Sequence, residues 1–362
     1  MTYNLSNRYS RQILFNSIGE EGQKLLKNSF AIILGCGALG SVSASLLTRA
    51  GVGRIKLIDR DFIEENNLQR QILFDEEDIK NGLPKAIAAQ EKLRQVNSSI
   101  IIEGVVSDVN YTNIEKLLDG ADVVIDGLDN FETRFLLNDC CVKNNIPWIY
   151  GACIGSMGLT MNIVPSKTPC LRCVLESLPP SGTLPTCDTA GIIGSIATVI
   201  ASIQATEAIK LLTGNIDAIN KDLISFDIWN GRIQKIHISN AVVGEGLPRP
   251  DCLTCKQRNY EFLEGRTSTW TTTICGRNGV QIIPLVRNPK SEIRNPKSEQ
   301  EVCFEHLAQK LRPLGKVGFN KFMMKFKINS YEMTIFPDGR AIITGTNDPG
   351  VAKGLYAKYM GM

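Results

Sequence analysis

The chain has 362 residues, enough for two domains, and its 43% hydrophobic and 21% charged residues are an ordinary globular balance. A net charge of +3 gives no field that would mark nucleic acid or a membrane as a partner. Met1 is followed by polar residues, not by the basic and apolar regions of a secretory signal, so a cytoplasmic location is expected. Eleven cysteines, an odd number, then read as thiols and metal ligands and not as a disulfide framework.

In chain order, Phe30-Ala-Ile-Ile-Leu34 is a short apolar run stopped by Gly35 and reads as a buried strand. Residues 38–50 read as a helix and 54–59 as the next strand, which completes a βαβ unit. Pro84 suits the first position of a helix running to about Val96. Residues 100–106 and 121–126 predict strands, 130–143 a helix and 148–151 a strand. This alternation predicts an α/β fold with a Rossmann-like, doubly wound, mainly parallel sheet. Strands at 157–164, 223–229 and 232–238 extend it, in antiparallel fashion. The apolar stretch 191–212 carries Gln204, Glu207 and Lys210, so a buried core helix explains it better than a membrane span.

The composition changes near Asp251. We divide the chain into a larger α/β domain, 1–260, and a small α+β module, 261–362. The module reads as a strand at 279–286, a helix at 301–312, strands near 322–328 and 331–336, a strand at 341–344 and a helix at 349–359. Pro337-Asp338-Gly339 is a hairpin-turn sequence. A tandem heptapeptide, Arg287-Asn-Pro-Lys-Ser-Glu-Ile293 and Arg294-Asn-Pro-Lys-Ser-Glu-Gln300, has too few apolar residues to pack, so 287–300 reads as an exposed loop produced by local duplication.

Gly35-Cys-Gly37-Ala38-Leu-Gly40 fits G-x-G-x-x-G directly after a strand and at the start of a helix. Glycines there allow a tight turn and close backbone approach, and the helix N-terminus offers N–H groups to phosphate. Asp59 closes the second strand, where an acid accepts from ribose hydroxyls. That much says only "adenine nucleotide". Three further segments narrow it: Arg8-Tyr-Ser-Arg11-Gln12, Asn66-Asn67-Leu-Gln-Arg70-Gln71 with Lys85 downstream, and Asp126-Gly-Leu-Asp129-Asn130 at a strand's end. A site that splits ATP needs cations for the phosphates and a carboxylate for magnesium, and Arg11, Arg70, Lys85 and Asp129 are of those types.

These segments, with Asp59-Arg-Asp-Phe-Ile-Glu-Glu-Asn-Asn-Leu-Gln-Arg-Gln71 and Gly82-Leu-Pro-Lys85, resemble the ThiF/MoeB proteins, bacterial relatives of ubiquitin-activating enzymes, over about residues 8–255. The resemblance implies an adenylyltransferase that activates the C-terminal Gly-Gly carboxylate of a ubiquitin-like sulfur-carrier protein (ThiS or MoaD type), for sulfur transfer in thiamine or molybdopterin biosynthesis. It implies that Asp59 holds the ribose, that Asn67, Arg70, Gln71 and Asn130 line the ATP pocket, and that Arg70 and Lys85 bind phosphates. Asp129 would bind Mg2+, and Arg11 would reach the phosphates of the partner site in a homodimer. Ala38 stands where many relatives have glycine and keeps the backbone N–H.

Cys170-Leu-Arg-Cys173 and Cys252-Leu-Thr-Cys255 each span two corners of a tetrahedral, four-cysteine zinc site. A redox C-x-x-C is the rival reading, but such motifs come singly beside a thioredoxin-like pattern. The pairs resemble the family's structural zinc ligands. Cys187, in Pro185-Thr-Cys-Asp-Thr-Ala-Gly191, precedes a predicted helix, where a thiol becomes a better nucleophile. In some members of the family a cysteine here links covalently to the activated carrier. Cys36, Cys140, Cys141, Cys153, Cys275 and Cys303 read as packing residues, and neither His237 nor His306 has a catalytic setting. A NAD-dependent dehydrogenase shares Gly35 to Asp59 but leaves Arg11, Asn67 to Arg70, Lys85 and the paired cysteines without a role. Two more rivals are a relative acting on modified tRNA, a group that usually lacks the zinc pairs, and a non-catalytic scaffold. A sulfur-donor protein is an expected partner; the identity of the carrier and the role of the C-terminal module stay open at this level.

Overall fold

The computed structural model describes residues 8–177, 190–238, 251–266, 271–273, 279–282 and 302–360. Cys187, Cys275 and the heptapeptide segment 287–300 lie outside the described residues. The chain divides into two compact units, Met1–Thr267 and Ser268–Met362.

The first unit is built on strands β1 (Phe30–Leu34), β2 (Arg54–Asp59), β3 (Ile101–Val106), β4 (Val123–Asp126), β5 (Trp148–Ile154), β6 (Met157–Ile163), β7 (Leu223–Asp227) and β8 (Arg232–Ile236), in spatial order β3-β2-β1-β4-β5-β6-β7-β8. Pairings from β3 through β5 are parallel, and those from β5 to β8 antiparallel. This is the doubly wound sheet with an antiparallel extension that the alternation predicts. Every residue of β1 is buried because both faces of the sheet are covered. On one face, Ile33, Ile55 and Leu57 pack with residues of helices α3 (Ala38–Ala50), α5 (Lys85–Val96) and α9 (Gly194–Leu212). On the other, Ile32, Leu34 and Trp148 pack with Phe135 and Cys140 of helix α7 (Phe131–Lys143). Each large aliphatic side chain buried this way contributes about 1.5–3 kcal/mol. The shorter helices are α1 (Ser10–Ile13), α2 (Gly19–Asn28), α4 (Glu76–Lys80), α6 (Ile114–Leu118) and α8 (Leu171–Val174).

Local chemistry sets the element ends. Gly51, at φ 83°, closes α3 in the left-handed conformation that costs glycine least. Asn130 caps α7 by accepting from the Thr133 amide at 2.9 Å. Pro84 is the N-cap of α5 and not its first helical residue, since its ψ of 144° is extended. Strand β7 stops at Asp227, short of Trp229, because the Asp227 carboxylate accepts from the Trp229 and Asn230 amides and turns the chain. Helix α9 is long and apolar enough to pass a membrane-span criterion. Its Ile196, Ile200, Ala205 and Ala208 are buried within the first unit, as a core helix requires.

The second unit is a six-stranded antiparallel sheet, β9 (Thr271–Thr273), β10 (Gly279–Ile282), β11 (Lys316–Phe319), β12 (Met324–Ile328), β13 (Tyr331–Ile335) and β14 (Ala341–Thr344), ordered β11-β12-β13-β14-β10-β9. Helices α10 (Phe304–Leu311) and α11 (Pro349–Met360) share a core with its strands through Phe304, Ala308, Leu311, Ala352 and Tyr356. Pro337-Asp338-Gly339 is the turn before β14, with the Phe336 amide donating to the Arg340 carbonyl at 2.9 Å. Strands β9 and β11 are additions to the elements read from the sequence.

Candidate functional site

Order β3-β2-β1-β4 makes the chain leave the sheet in opposite directions after β1 and β4, which opens a crevice at their carboxyl ends. The Gly35–Gly40 turn lies there. Gly35 has φ +92°, and a Cβ on it would stand 2.5 Å from the Gly127 carbonyl oxygen; one on Gly40 would stand 1.8 Å from the Gly35 oxygen. Packing alone therefore demands glycine at both. Gly37 differs. A Cβ there would meet nothing nearer than 3.9 Å, from the Gln71 amide nitrogen and the Gly127 oxygen. Packing therefore leaves open space beside the backbone at 37. Ala38 begins α3, so its N–H points from the helix N-terminus.

Asp59 ends β2 and holds this turn, one carboxylate oxygen accepting from the Cys36 amide at 2.6 Å and the other from the Asp61 amide at 2.7 Å. Burial pushes its carboxyl above the ordinary range, against the pull of Lys85. Lys85, at the start of α5 and buried, reaches Asp61 at 3.2 Å. Arg60 donates to Asp108 at 2.6 Å and stands 3.9 Å from Asp61. Although burial disfavours its charge, Asp108, Asp61 and Asp129 more than offset this and push Arg60 above the usual guanidinium value. The turn, the ribose-type acid and the predicted phosphate lysine thus share one edge.

The segment after β2 folds over this edge. Asn67 closes a short 3₁₀ turn, Glu65–Asn67, through a reciprocal cap with Glu64. Gln71 is buried, its Oε1 has no hydrogen-bond partner among the described residues, and its Nε2 lies on the Gly37 side. Arg70 is half-buried; its guanidinium donates to the Asn66 carbonyl at 2.7 Å, and its backbone runs against Gly194 at the start of α9.

Asp129 is exposed beyond β4, next to Asn130, whose side chain donates to it at 3.2 Å. Below the loop is a pair that sequence reasoning missed. Asp126, fully buried, accepts from Arg134 Nε at 2.9 Å and from the Leu128 amide at 2.9 Å. Arg134 Nη2 also donates to the carbonyls of Leu128 at 2.5 Å and Gly151 at 2.9 Å. Burial pushes the Asp126 carboxyl upward even beside Arg134. Gln204 of α9 donates to the Asp126 and Ile149 carbonyls at 2.9 and 3.0 Å. Asp61, Arg60, Asp108, Arg134 and Gln204 are the site-supporting residues not singled out from sequence. Of these, Arg60 and Asp61 lie inside the Asp59–Gln71 segment and Arg134 stands eight residues after the acid of Asp126-Gly-Leu-Asp-Asn, so all three carried a local signal.

Arg11 is not brought to this edge. It is exposed on α1, and its neighbour Gln12 donates to the Ala50 carbonyl at 2.8 Å, at the far end of α3. Thirteen helical residues separate that end from the Gly turn, about 20 Å at 1.5 Å per residue.

The four cysteines Cys170, Cys173, Cys252 and Cys255 converge, with all sulfurs within 4.8 Å of one another. Neighbouring sulfurs stand 3.8, 3.6 and 3.5 Å apart. A tetrahedral zinc with bonds of about 2.3 Å requires sulfur separations of roughly 3.8 Å, and a disulfide about 2.05 Å, so the cluster has zinc geometry and not disulfide geometry. Four thiols fill four corners, the closed set of a structural metal. Helix α7 ties the two pairs together: Asn138 accepts from the Leu171 amide at 2.9 Å, and Asp139 accepts from the Thr254 hydroxyl at 2.9 Å and the Phe262 amide at 3.0 Å. Burial pushes Asp139 up to about 6. Of the remaining cysteines, Cys36, Cys140 and Cys141 are buried and Cys153 partly so. Cys303 is exposed at the N-cap of α10, contrary to a packing role, because the first residue of that helix's core face is Phe304. His237 is exposed and pairs with Asp222 at 2.8 Å, away from the crevice residues.

The ThiF family model matches residues 9–245. The chain is 43% identical over 358 residues to the sulfur carrier protein ThiS adenylyltransferase of Bacillus subtilis, covering 99% of this chain and 100% of that one. It is 35% identical to the SAMP-activating enzyme E1 of Haloferax volcanii, over 71% of this chain and 92% of that protein. Among solved structures, E. coli MccB with ATP is similar at a TM-score of 0.57 and 28% identity, over 69% of this chain and 74% of MccB.

Proposed function

The chain belongs to the ThiF family, and from that premise we propose that it uses ATP to adenylate the C-terminal carboxylate of a ubiquitin-like sulfur-carrier protein. The observation that carries the reading is the convergence at one sheet edge of a glycine turn with an opening at Gly37, an acid engaged with that turn at Asp59, a buried lysine at Lys85 and an exposed acid at Asp129. Identity that runs through the C-terminal unit to a ThiS adenylyltransferase favours a ThiS-type carrier, and so thiamine biosynthesis, over a MoaD type.

The carrier's terminal carboxylate oxygen attacks the α-phosphorus of ATP; an O–P bond forms, the bond to the β-phosphate oxygen breaks, and pyrophosphate leaves. Both reactants are anions, so the barrier is chiefly electrostatic and orientational. Lys85 and Arg70 offset the repulsion, and Asp59 accepts from the ribose. Gln71 supplies its free acceptor to the nucleotide. Asp129, oriented by Asn130, would hold Mg2+, whose charge stabilises departing pyrophosphate. No general base is needed, because the carboxylate is already ionised at neutral pH. Arg11, about a helix length from its own site, completes the site of a second copy in a homodimer. Zinc in the four-cysteine cluster is structural. The adenylate then reacts with a sulfur-donor protein, either directly or after the Cys187 thiolate attacks the carrier's acyl carbon, forming a thioester as the acyl–phosphate bond breaks and AMP leaves. The module after residue 260 docks a partner, and the enzyme works in the cytoplasm.

ATP–pyrophosphate exchange tests the reading. Wild-type protein should exchange only when a ThiS-type carrier ending in Gly-Gly is present, and Asp129→Ala should lose at least about 100-fold, the effect of removing one group that stabilises charge developing in the transition state. Full exchange by Asp129→Ala would sink the assignment.

A further inference from the structure

Arg60 and Asp108 sit at the same edge but have no part in the chemistry above. In sheet order β3-β2-β1-β4, the phosphates belong to the turn after β1 and the ribose to the acid ending β2. A nucleotide so placed extends its base toward the end of β3. Arg60 directly follows Asp59, and Asp108 lies two residues beyond β3. Their hydrogen bond, 2.6 Å, spans 48 residues of sequence and links the ends of β2 and β3.

The pair is built asymmetrically. The Asp108 side chain is 7% exposed, whereas that of Arg60 is 28% exposed. A nearly buried carboxylate thus grips one edge of a guanidinium whose remainder reaches solvent. With Asp108 at 2.6 Å and Asp61 at 3.9 Å, the Arg60 charge is already balanced by carboxylates. A cation so neutralised is a poor extra phosphate ligand, but its flat face keeps its affinity for an aromatic ring.

We propose that Arg60 is the base-binding residue of the nucleotide site, its guanidinium held in plane by Asp108 and stacked on the adenine ring. The proposal rests on the ATP reading above. The test is calorimetric titration of the full-length, zinc-loaded chain with ATP and, separately, with inorganic tripolyphosphate, which has no base. Arg60→Ala should weaken ATP binding about ten-fold, the size of one cation–π contact, and leave tripolyphosphate binding unchanged. Arg60→Lys keeps the charge but not the plane and should recover only part of the loss; Asp108→Ala should weaken ATP binding in the same direction. Equal losses for ATP and tripolyphosphate, or an Arg60→Ala chain that binds ATP as wild type does, would overturn the assignment while the ATP reading stands. A wild-type chain that binds no ATP would overturn both.

Discussion

Replacing Arg134 by methionine tests whether the buried Asp126–Arg134 pair holds the Asp129 loop. The change keeps the bulk of the stem but removes the 2.9 Å bond to Asp126 and the bonds to the Leu128 and Gly151 carbonyls. Asp126, fully buried, is left with backbone amides as its partners. Removing one member of a buried pair costs about 3–5 kcal/mol, because the other charge stays unmatched. At roughly 2–4 °C per kcal/mol for a unit of this size, the melting temperature should fall by about 6–20 °C. The deficit should also depend on pH in a definite direction. Burial already raises the Asp126 carboxyl above its unfolded value, and loss of Arg134 raises it further. A raised carboxylate pKa is a destabilisation that is complete above the folded pKa and is relieved as pH falls through it. Thermal melts of variant and wild type from about pH 8 to about pH 5 should therefore converge toward the acid end. A variant that melts with wild type, or a gap that does not narrow on acidification, would refute the reasoning. Asp126→Leu/Arg134→Met, which removes both charges, should regain much of the stability while carrier-dependent exchange stays low, since nothing then fixes the Leu128 carbonyl before Asp129.

The glycines should separate by cause. Gly37→Ala, whose Cβ meets nothing nearer than 3.9 Å, should lower stability far less than Gly40→Ala and weaken ATP binding at least about ten-fold in a titration. Gly40→Ala, with its Cβ 1.8 Å from the Gly35 oxygen, should lower stability by more than about 3 kcal/mol in denaturant melts. Purified protein should hold one zinc per chain by elemental analysis, and chelation or Cys252→Ala should make residues 251–266 more sensitive to protease, because Cys252 and Cys255 anchor that segment together with Thr254, Glu261, Phe262 and Leu263. Metal-free protein that resists protease equally would count against a structural zinc.

The fold of the first unit is legible because its signals are local. An unbroken apolar run such as Phe30 to Leu34 means a strand covered on both faces, and Gly51, Pro84 and Asn130 mark helix ends by their own conformational chemistry. Strand β11 carries no such signal because it is an edge: Lys316, Gly318 and Phe319 are exposed and Val317 alone is half-buried, so no alternation reaches the sequence. The exposed Cys303 misleads for a related reason, since a thiol next to a core residue looks like a core residue until the helix phase is known.

The site divides along the same line. Gly35, Gly37, Gly40, Asp59, Lys85 and Asp129 stand in motifs whose spacing states a chemistry. Asp108 stands in no motif, and the motifs around Arg60 and Arg134 give those two no role, because an arginine or aspartate outside a chemical pattern acquires meaning only from burial, and burial depends on which strands are neighbours. Sheet order β3-β2-β1-β4 makes residues 60 and 108 partners, and the depth of β4 makes Asp126 need Arg134. The cysteine pairs show the intermediate case: each C-x-x-C is readable, but their union across 82 residues is the work of Asn138 and Asp139 on α7. That same helix begins at the Asn130 cap beside Asp129. The metal cluster and the catalytic loop are thus fastened to the middle and the start of one helix, so loss of zinc should loosen the carboxylate proposed to hold magnesium without any residue of the cluster touching the nucleotide.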